Sequence, residues 1–287
     1  MYQKIREPVE NDFHEVNKFI VEQLHSEVSL VESIGHYIVE AGGKRMRPIL
    51  VLLAARGNGI ENDLHIPMAA VIEFIHTATL LHDDVVDMSE LRRGRPTVNA
   101  EWNNPSSVLV GDFIYSRAFQ VLVQIADMRI MEIIANTTNR IAEGEVLQLI
   151  EKSNPQTSEE NYMRVITNKT AILFQAAAQC GAILSKSDSE IEEALRSFGM
   201  QLGLAYQLID DVLDYSGTAD ELGKNVGDDL SEGKSTLPLI YASKNGSTAQ
   251  RKVISESLNA KKLTKGMLDN VIEIVPVSYT HLRAHET

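Results

Sequence analysis

A chain of 287 residues with 44% hydrophobic and 23% charged residues is long enough for a substantial core and too apolar to be disordered. Its formal net charge of −13 argues against general affinity for nucleic acid or anionic lipid, while leaving room for a local basic site. The single cysteine, Cys180, excludes a disulfide framework within the chain and suits a reducing cytoplasm.

The first residues, MYQKIREPVENDF, are polar and lack the apolar segment of a signal peptide. No uninterrupted apolar run approaches the roughly 20 residues that span a bilayer. Residues 14–43 carry apolar side chains at three- and four-residue spacing and stop at Gly42-Gly43, which predicts a helix with a glycine cap. RPILVLLAARGNG predicts a buried helix with Pro48 in its first turn and glycines past its end. Further helices are predicted over about 65–90, 105–124, 128–152, 159–185, 188–215, 236–245 and 248–259, with Pro67, Pro105 and Pro155 at or near helix starts. Cys180, in FQAAAQCGAIL, reads as a small buried side chain. No alternating strand pattern is present, and no repeat or linker divides the chain. The expectation is one all-α domain over 1–275, a large helical bundle with buried central members. Residues 276–287, PVSYTHLRAHET, lose the helical period and read as adapter-like, non-native sequence.

Two helices carry chemistry. LLHDDVVDMSELRRGRPT places Asp83, Asp84 and Asp87 inside an apolar helix and follows them with Arg92, Arg93 and Arg95. GLAYQLIDDVLDYS repeats the Asp-Asp-x-x-Asp spacing at Asp210, Asp211 and Asp214. One such cluster is compatible with a solvated acidic face, since like charges at i and i+4 repel by only about 0.2–0.5 kcal/mol. Two, each flanked by residues that want burial, cannot easily both face water. Asp83 shares a stripe with Asp87, Thr79 and His76; Asp210 shares one with Asp214, Gln207 and Gly203. Divalent cations are the simplest compensation for six such carboxylates, and an all-oxygen donor set selects a hard ion, Mg2+. Neither cluster has the glycine-centred loop of an EF-hand. Mg2+ in turn asks for a polyanion. AGGKRMRP offers Lys44, Arg45 and Arg47 at a helix start; NKTAILF offers Lys169 and Thr170; ELGKNVGDDLSEGKSTLP offers Lys224 and Lys234 with Asp228. The residues by themselves indicate metals plus a diphosphate.

GGKRMRP, LLHDDVVDMSELRRGRPT, GDFIYSRAF, AEGEVLQL, NKTA, YQLIDDVLDY and GKNVGDDLSEGKSTLP, in this order, resemble the trans (E-type) polyprenyl diphosphate synthases. The resemblance runs to about Val275, short of the further C-terminal helices that members carry. It implies an isoprenoid-synthase bundle around a central active-site cavity. It also implies a prenyltransferase that ionises an allylic diphosphate with Mg2+ and adds isopentenyl diphosphate to the carbocation, the proton leaving with pyrophosphate. Within that family the likeness is to bacterial members that make long chains, octaprenyl above all, as quinone side chains from a farnesyl diphosphate primer.

Carried over residue by residue, the resemblance implies that Asp83, Asp84, Asp87, Asp210, Asp211 and Asp214 bind Mg2+ and, with Lys169, are the catalytic set. Lys44, Arg47, His76 and Arg93 would hold isopentenyl diphosphate. Arg92, Lys169, Thr170, Gln207, Lys224 and Lys234 would hold the allylic diphosphate. Ile75, Ala78 and Thr79, with Leu122 and Ile134 as a floor, would set chain length. A homodimer is expected, in the cytoplasm, with membrane association only through the lipid product. His82 reads as structural, and His25, His36 and His65 have no motif around them. The alternatives are a shorter-chain synthase, a cyclase, and a non-catalytic subunit of a heteromeric synthase. The intact second Asp cluster argues against the last two.

Overall fold

The computed structural model describes residues 2–216, 226–260 and 262–283, with side chains as far as Val275. Wherever apolar residues recur at helical spacing, helices form. A short α1 (Tyr2–Arg6) and a 3-10 turn (Glu7–Val9) lead into α2 (Glu10–Gln23), α3 (Ser29–Glu40), α4 (Met46–Gly57) and α5 (His65–Val86). β1 (Leu91–Arg92) and β2 (Arg95–Pro96) form a short antiparallel ladder, followed by α6 (Val98–Glu101), α7 (Asn104–Ile125) and α8 (Met128–Glu151). Then come α9 (Glu159–Ile166), a π turn (Thr167–Ala171), α10 (Ile172–Leu184), α11 (Ser189–Ser216), α12 (Asp228–Ser231), α13 (Leu237–Asn245), α14 (Thr248–Leu258) and α15 (Lys265–Arg283). The fold is all-α, and the backbone of α15 runs through residues 276–283.

Helix α15 corrects the expectation that residues beyond 275 lose the helical period, and three further local features differ from the sequence pattern. The helix expected over 14–43 breaks at residues 24–28. Ser26 Oγ accepts from the Val28 N–H at 3.2 Å, and Val28 is extended ahead of α3. Leu24 keeps the apolar period but packs on Gly35 of α3, where an added Cβ would sit 3.4 Å from it. The hairpin was invisible because each strand has two residues; Arg93 (φ 54) and Gly94 (φ 73) both take positive φ, as a two-residue primed turn requires. The helix expected over 159–185 is interrupted by the π turn. There Gly144 of α8 approaches so closely that a Cβ would lie 2.8 Å from the Lys169 nitrogen.

Internal contacts group the chain into two compact units, one of residues 1–140 and 171–203, the other of 141–170 and 204–287. Each takes two separate stretches of sequence, so no linker marks a border. In the first, α5 packs along α7 and α4 along α10, over a core that includes Leu52, Met68, Ile72, Phe74 and Phe174. Gly181 permits the close α4–α10 crossing, since a Cβ there would fall 2.7 Å from the Ala54 Cβ. Cys180 is fully buried beside it, and burial pushes its thiol up, so it is inert. By length and composition α7 could cross a membrane. In the second unit, α13, α14 and α15 enclose Tyr215, Leu230, Leu239, Ile254, Leu258 and Val271.

Candidate active site

Asp83 and Asp84 lie in the last turn of α5, and Asp87 caps it, its N–H still donating to the Asp83 carbonyl at 2.8 Å. The i, i+4 register of Asp83 and Asp87 therefore survives the helix end. Both are half-buried, whereas Asp84 is 3% exposed. Arg92, on β1, donates from Nε and Nη2 to Asp84 Oδ1 at 2.9 and 2.7 Å. Burial raises the Asp84 carboxyl above its ordinary range, and the Arg92 bonds pull it part of the way back. Asn99 fixes the turn leaving α5 by donating to the carbonyls of Asp84 and Ser89 at 3.2 and 3.1 Å.

The primed turn sends Arg93 back toward the glycine pair before α4, where its guanidinium donates to the Gly42 carbonyl. It lies where a side chain at Gly43 would be, 2.6 Å from an added Cβ. Lys44 follows on this strap, exposed, its carbonyl accepting from Tyr2 Oη at 2.6 Å. Arg47, in the first turn of α4, stacks over the Phe174 ring at 4.3 Å. His76 is on α5. Burial first, then the positive fields of Arg47, Arg93, Arg92 and Arg45, hold its imidazole well below the ordinary value. Lys44, Arg47, His76 and Arg93 thus belong to one basic region with a neutral imidazole in it, a place for an anion. His82, expected to be structural, has Nε2 3.2 Å from the Val108 carbonyl and 3.4 Å from Asp112 Oδ1, and its ring packs where a Cβ on Gly111 would clash.

The second cluster is built in the other unit. Asp210 is half-buried on α11; Asp211 and Asp214 are 2% and 0% exposed. Thr170 Oγ1 donates to Gln207 Oε1 at 2.9 Å, Gln207 Nε2 to Asp211 Oδ1 at 2.7 Å, and Tyr162 Oη to Asp211 Oδ2 at 2.6 Å. Three expected site residues are therefore in one hydrogen-bonded chain. Lys169 pairs with Glu145 at 2.7 Å, and Lys234 with Glu232. The N-terminus of α12 adds Asp229, whose N–H donates to Asp214 Oδ2 at 3.3 Å and whose carbonyl accepts from the Lys234 N–H. Lys224 lies outside the described residues. Sequence reasoning did not single out Tyr162, Glu145 or Asp229. Glu145 was visible inside AEGEVLQL, but nothing marks Tyr162, 49 residues from its partner.

The carboxylate oxygens fit a hard divalent ion. Among the described residues no three acidic, histidine or cysteine side chains close on a common point. Burial, then the Asp229 charge, pushes the Asp211 carboxyl up to about 7. Its ordinary value is 3.8, so the folded metal-free protein holds a proton that the unfolded chain gives up. The stability this supplies is complete below about pH 4 and is lost as pH rises through 7. In EDTA, Tm should fall between pH 5 and pH 8, and Asp211→Asn should flatten that part of the slope. Equal slopes in both proteins would refute the assignment.

Residues 28–275 match the family described as polyprenyl synthetase. The chain is 50% identical to octaprenyl diphosphate synthase of Escherichia coli over 99% of its own length and 89% of that protein. It is also 50% identical to an all-trans-nonaprenyl-diphosphate synthase (geranyl-diphosphate specific) of Rhodobacter capsulatus, over 99% of its own length and 88% of that protein. A crystal structure of polyprenyl synthase from Caulobacter crescentus, complexed with calcium and isoprenyl diphosphate, superimposes with a TM-score of 0.94 at 41% identity, covering 97% of this chain and 85% of that one.

Proposed function

Since this chain belongs to the polyprenyl synthetase family and is a prenyltransferase that makes polyprenyl diphosphates, we propose that its product is octaprenyl diphosphate, grown on a farnesyl diphosphate primer with Mg2+ as the metal. The observation that carries the chemistry is the repeated Asp cluster, each copy with a buried middle aspartate tied to protein donors. The product length draws on the 50% identity to the Escherichia coli octaprenyl enzyme, against a nonaprenyl relative at the same identity. The calcium and isoprenyl diphosphate bound by the Caulobacter relative support a divalent ion acting on a diphosphate.

Asp83, Asp84, Asp87, Asp210, Asp211 and Asp214 would hold Mg2+, which supplies charge neutralisation for a departing pyrophosphate. Arg92, Lys169, Thr170, Gln207 and Lys234 would orient the allylic diphosphate. Lys44, Arg47, His76 and Arg93 would hold isopentenyl diphosphate, and the neutral His76 can donate one hydrogen bond without adding to the positive charge of four arginines. We place the enzyme in the cytoplasm, its product entering the membrane as a side chain for isoprenoid quinones such as ubiquinone.

The test is chromatography of the products from farnesyl diphosphate and labelled isopentenyl diphosphate. Octaprenyl diphosphate is expected with Mg2+ and no product with EDTA. A geranylgeranyl product would end the long-chain reading, and incorporation only after a second subunit is added would make this chain one half of a heteromer. A homodimer is also proposed, through the face of α7 that exposes Leu109 (66%) and Val123 (68%). Light scattering at micromolar concentration should give twice the chain mass; monomer alone would refute the dimer.

A further inference from the structure

AGGKRMRP presents three cations in four residues, yet they do not behave alike. Lys44 is exposed and Arg47 lies over an aromatic ring, but the Arg45 side chain turns inward and is 8% exposed. Its Nη1 is 3.5 Å from Oε1 of Glu73, on α5, whose side chain is 9% exposed. Withdrawing two charges from water at one point is costly unless they are held together, so this pairing is a built feature rather than a surface accident.

We propose that Arg45 and Glu73 are a positioning pair that fixes the strap of residues 42–44 to α5 and thereby aligns the isopentenyl diphosphate set; the proposal rests on the assignment of Lys44, Arg47, His76 and Arg93 to that diphosphate. The strap has little stiffness of its own, since Gly42 (φ 67) and Gly43 (φ 141) are both in backbone regions open to glycine. Arg45 itself is left-handed (φ 43, ψ 44) at the start of α4 and makes no side-chain cap. A non-glycine residue keeps that conformation only where its surroundings over-determine it. The ion pair with Glu73 supplies the constraint from one side, and Arg93 on the Gly42 carbonyl supplies it from the other.

Glu73 stands three residues before His76, so the pair ties the strap to the turn of α5 that carries the imidazole. A cavity of about 30 Å³ abuts the pair, bounded by Gly42, Phe74, Thr77 and Arg93. The effect of Arg45 and Glu73 passes through Lys44, Arg47 and the Arg93–Gly42 contact.

The experiment compares Arg45→Met, Arg45→Lys and Glu73→Gln with wild type and with Lys44→Ala, in full-chain enzyme, by steady-state kinetics and Tm. Arg45→Met and Glu73→Gln should raise KM for isopentenyl diphosphate about tenfold or more, the scale of a small misplacement of a binding group. KM for the allylic primer and kcat at saturation should change by no more than about twofold. Arg45→Lys, which keeps the ion pair, should recover most of the loss. Glu73→Gln preserves shape and keeps the test open should Arg45→Met fail to fold. A rise in both KM values together, a fall in Tm with KM unchanged, or Arg45→Lys no better than Arg45→Met would overturn the positioning role. Lys44→Ala separates this from the underlying assignment: an unchanged KM for isopentenyl diphosphate in that variant refutes the diphosphate set itself.

Discussion

Asp83→Ala and Asp210→Ala should each lower turnover by roughly 10²- to 10³-fold, the usual consequence of losing one group that stabilises developing charge. Both are half-buried, unlike the middle aspartates Asp84 and Asp211. The buried middle aspartates differ. Asp211→Ala would remove the acceptor of Tyr162 Oη and Gln207 Nε2, and Asp84→Ala the buried acceptor of the Arg92 guanidinium. Those variants should lose stability as well as turnover and cannot report on metal chemistry alone. Circular dichroism of the Asp83 and Asp210 variants should match wild type while isopentenyl transfer at saturating Mg2+ collapses. Near-normal turnover in either would sink the assignment of both clusters to metal.

The cations near the carboxylates are engaged with acids in the protein itself: Arg92 with Asp84, Lys169 with Glu145, Lys234 with Glu232. Each pair compensates charges that are partly withdrawn from water.

Much of this was legible because the chemistry repeats at helical spacing. Two Asp-Asp-x-x-Asp runs in apolar helices identify themselves, and glycine and proline punctuation placed Met46–Gly57 and Asn104–Ile125 to within a residue or two. What stayed hidden depends on tertiary contact. Leu24 continues an apolar period while serving the packing of two helices, so the break at 24–28 leaves no signature in the pattern. Arg93 adopts positive φ in a turn without the asparagine or aspartate that would announce it. Glu73 reads as one polar position in a helix until Arg45 is found against it, 28 positions earlier in the numbering. Helical period reports which face is buried, not which distant side chain meets it.

Ala78→Tyr should shift the product to short-chain diphosphates, because a growing isoprenoid that leaves the metal along α5 must pass the turns below Asp83. Thr79 is one turn below Asp83 and half-buried, its hydroxyl donating to the His76 carbonyl at 2.8 Å. Ala78 and Ile75 are fully buried, as are Leu122 on α7 and Ile134 on α8, the two proposed floor residues. A tyrosine ring at Ala78 therefore has two possible fates, and they are separable. Where the chain's path runs beside this face, the ring occupies that path; early additions proceed and elongation stops. Where Ala78 is only a packing position, the ring overpacks the α5 interface at a cost of about 1–3 kcal/mol and the product length stays the same. Leu122→Ala works in the opposite sense: removing a buried leucine costs about 2–5 kcal/mol but should lengthen the product by opening the floor. Short products from a folded Ala78→Tyr, with longer ones from Leu122→Ala, would place the channel along α5 and α7. An unchanged product from Ala78→Tyr with a lowered Tm would move the determinant of length elsewhere.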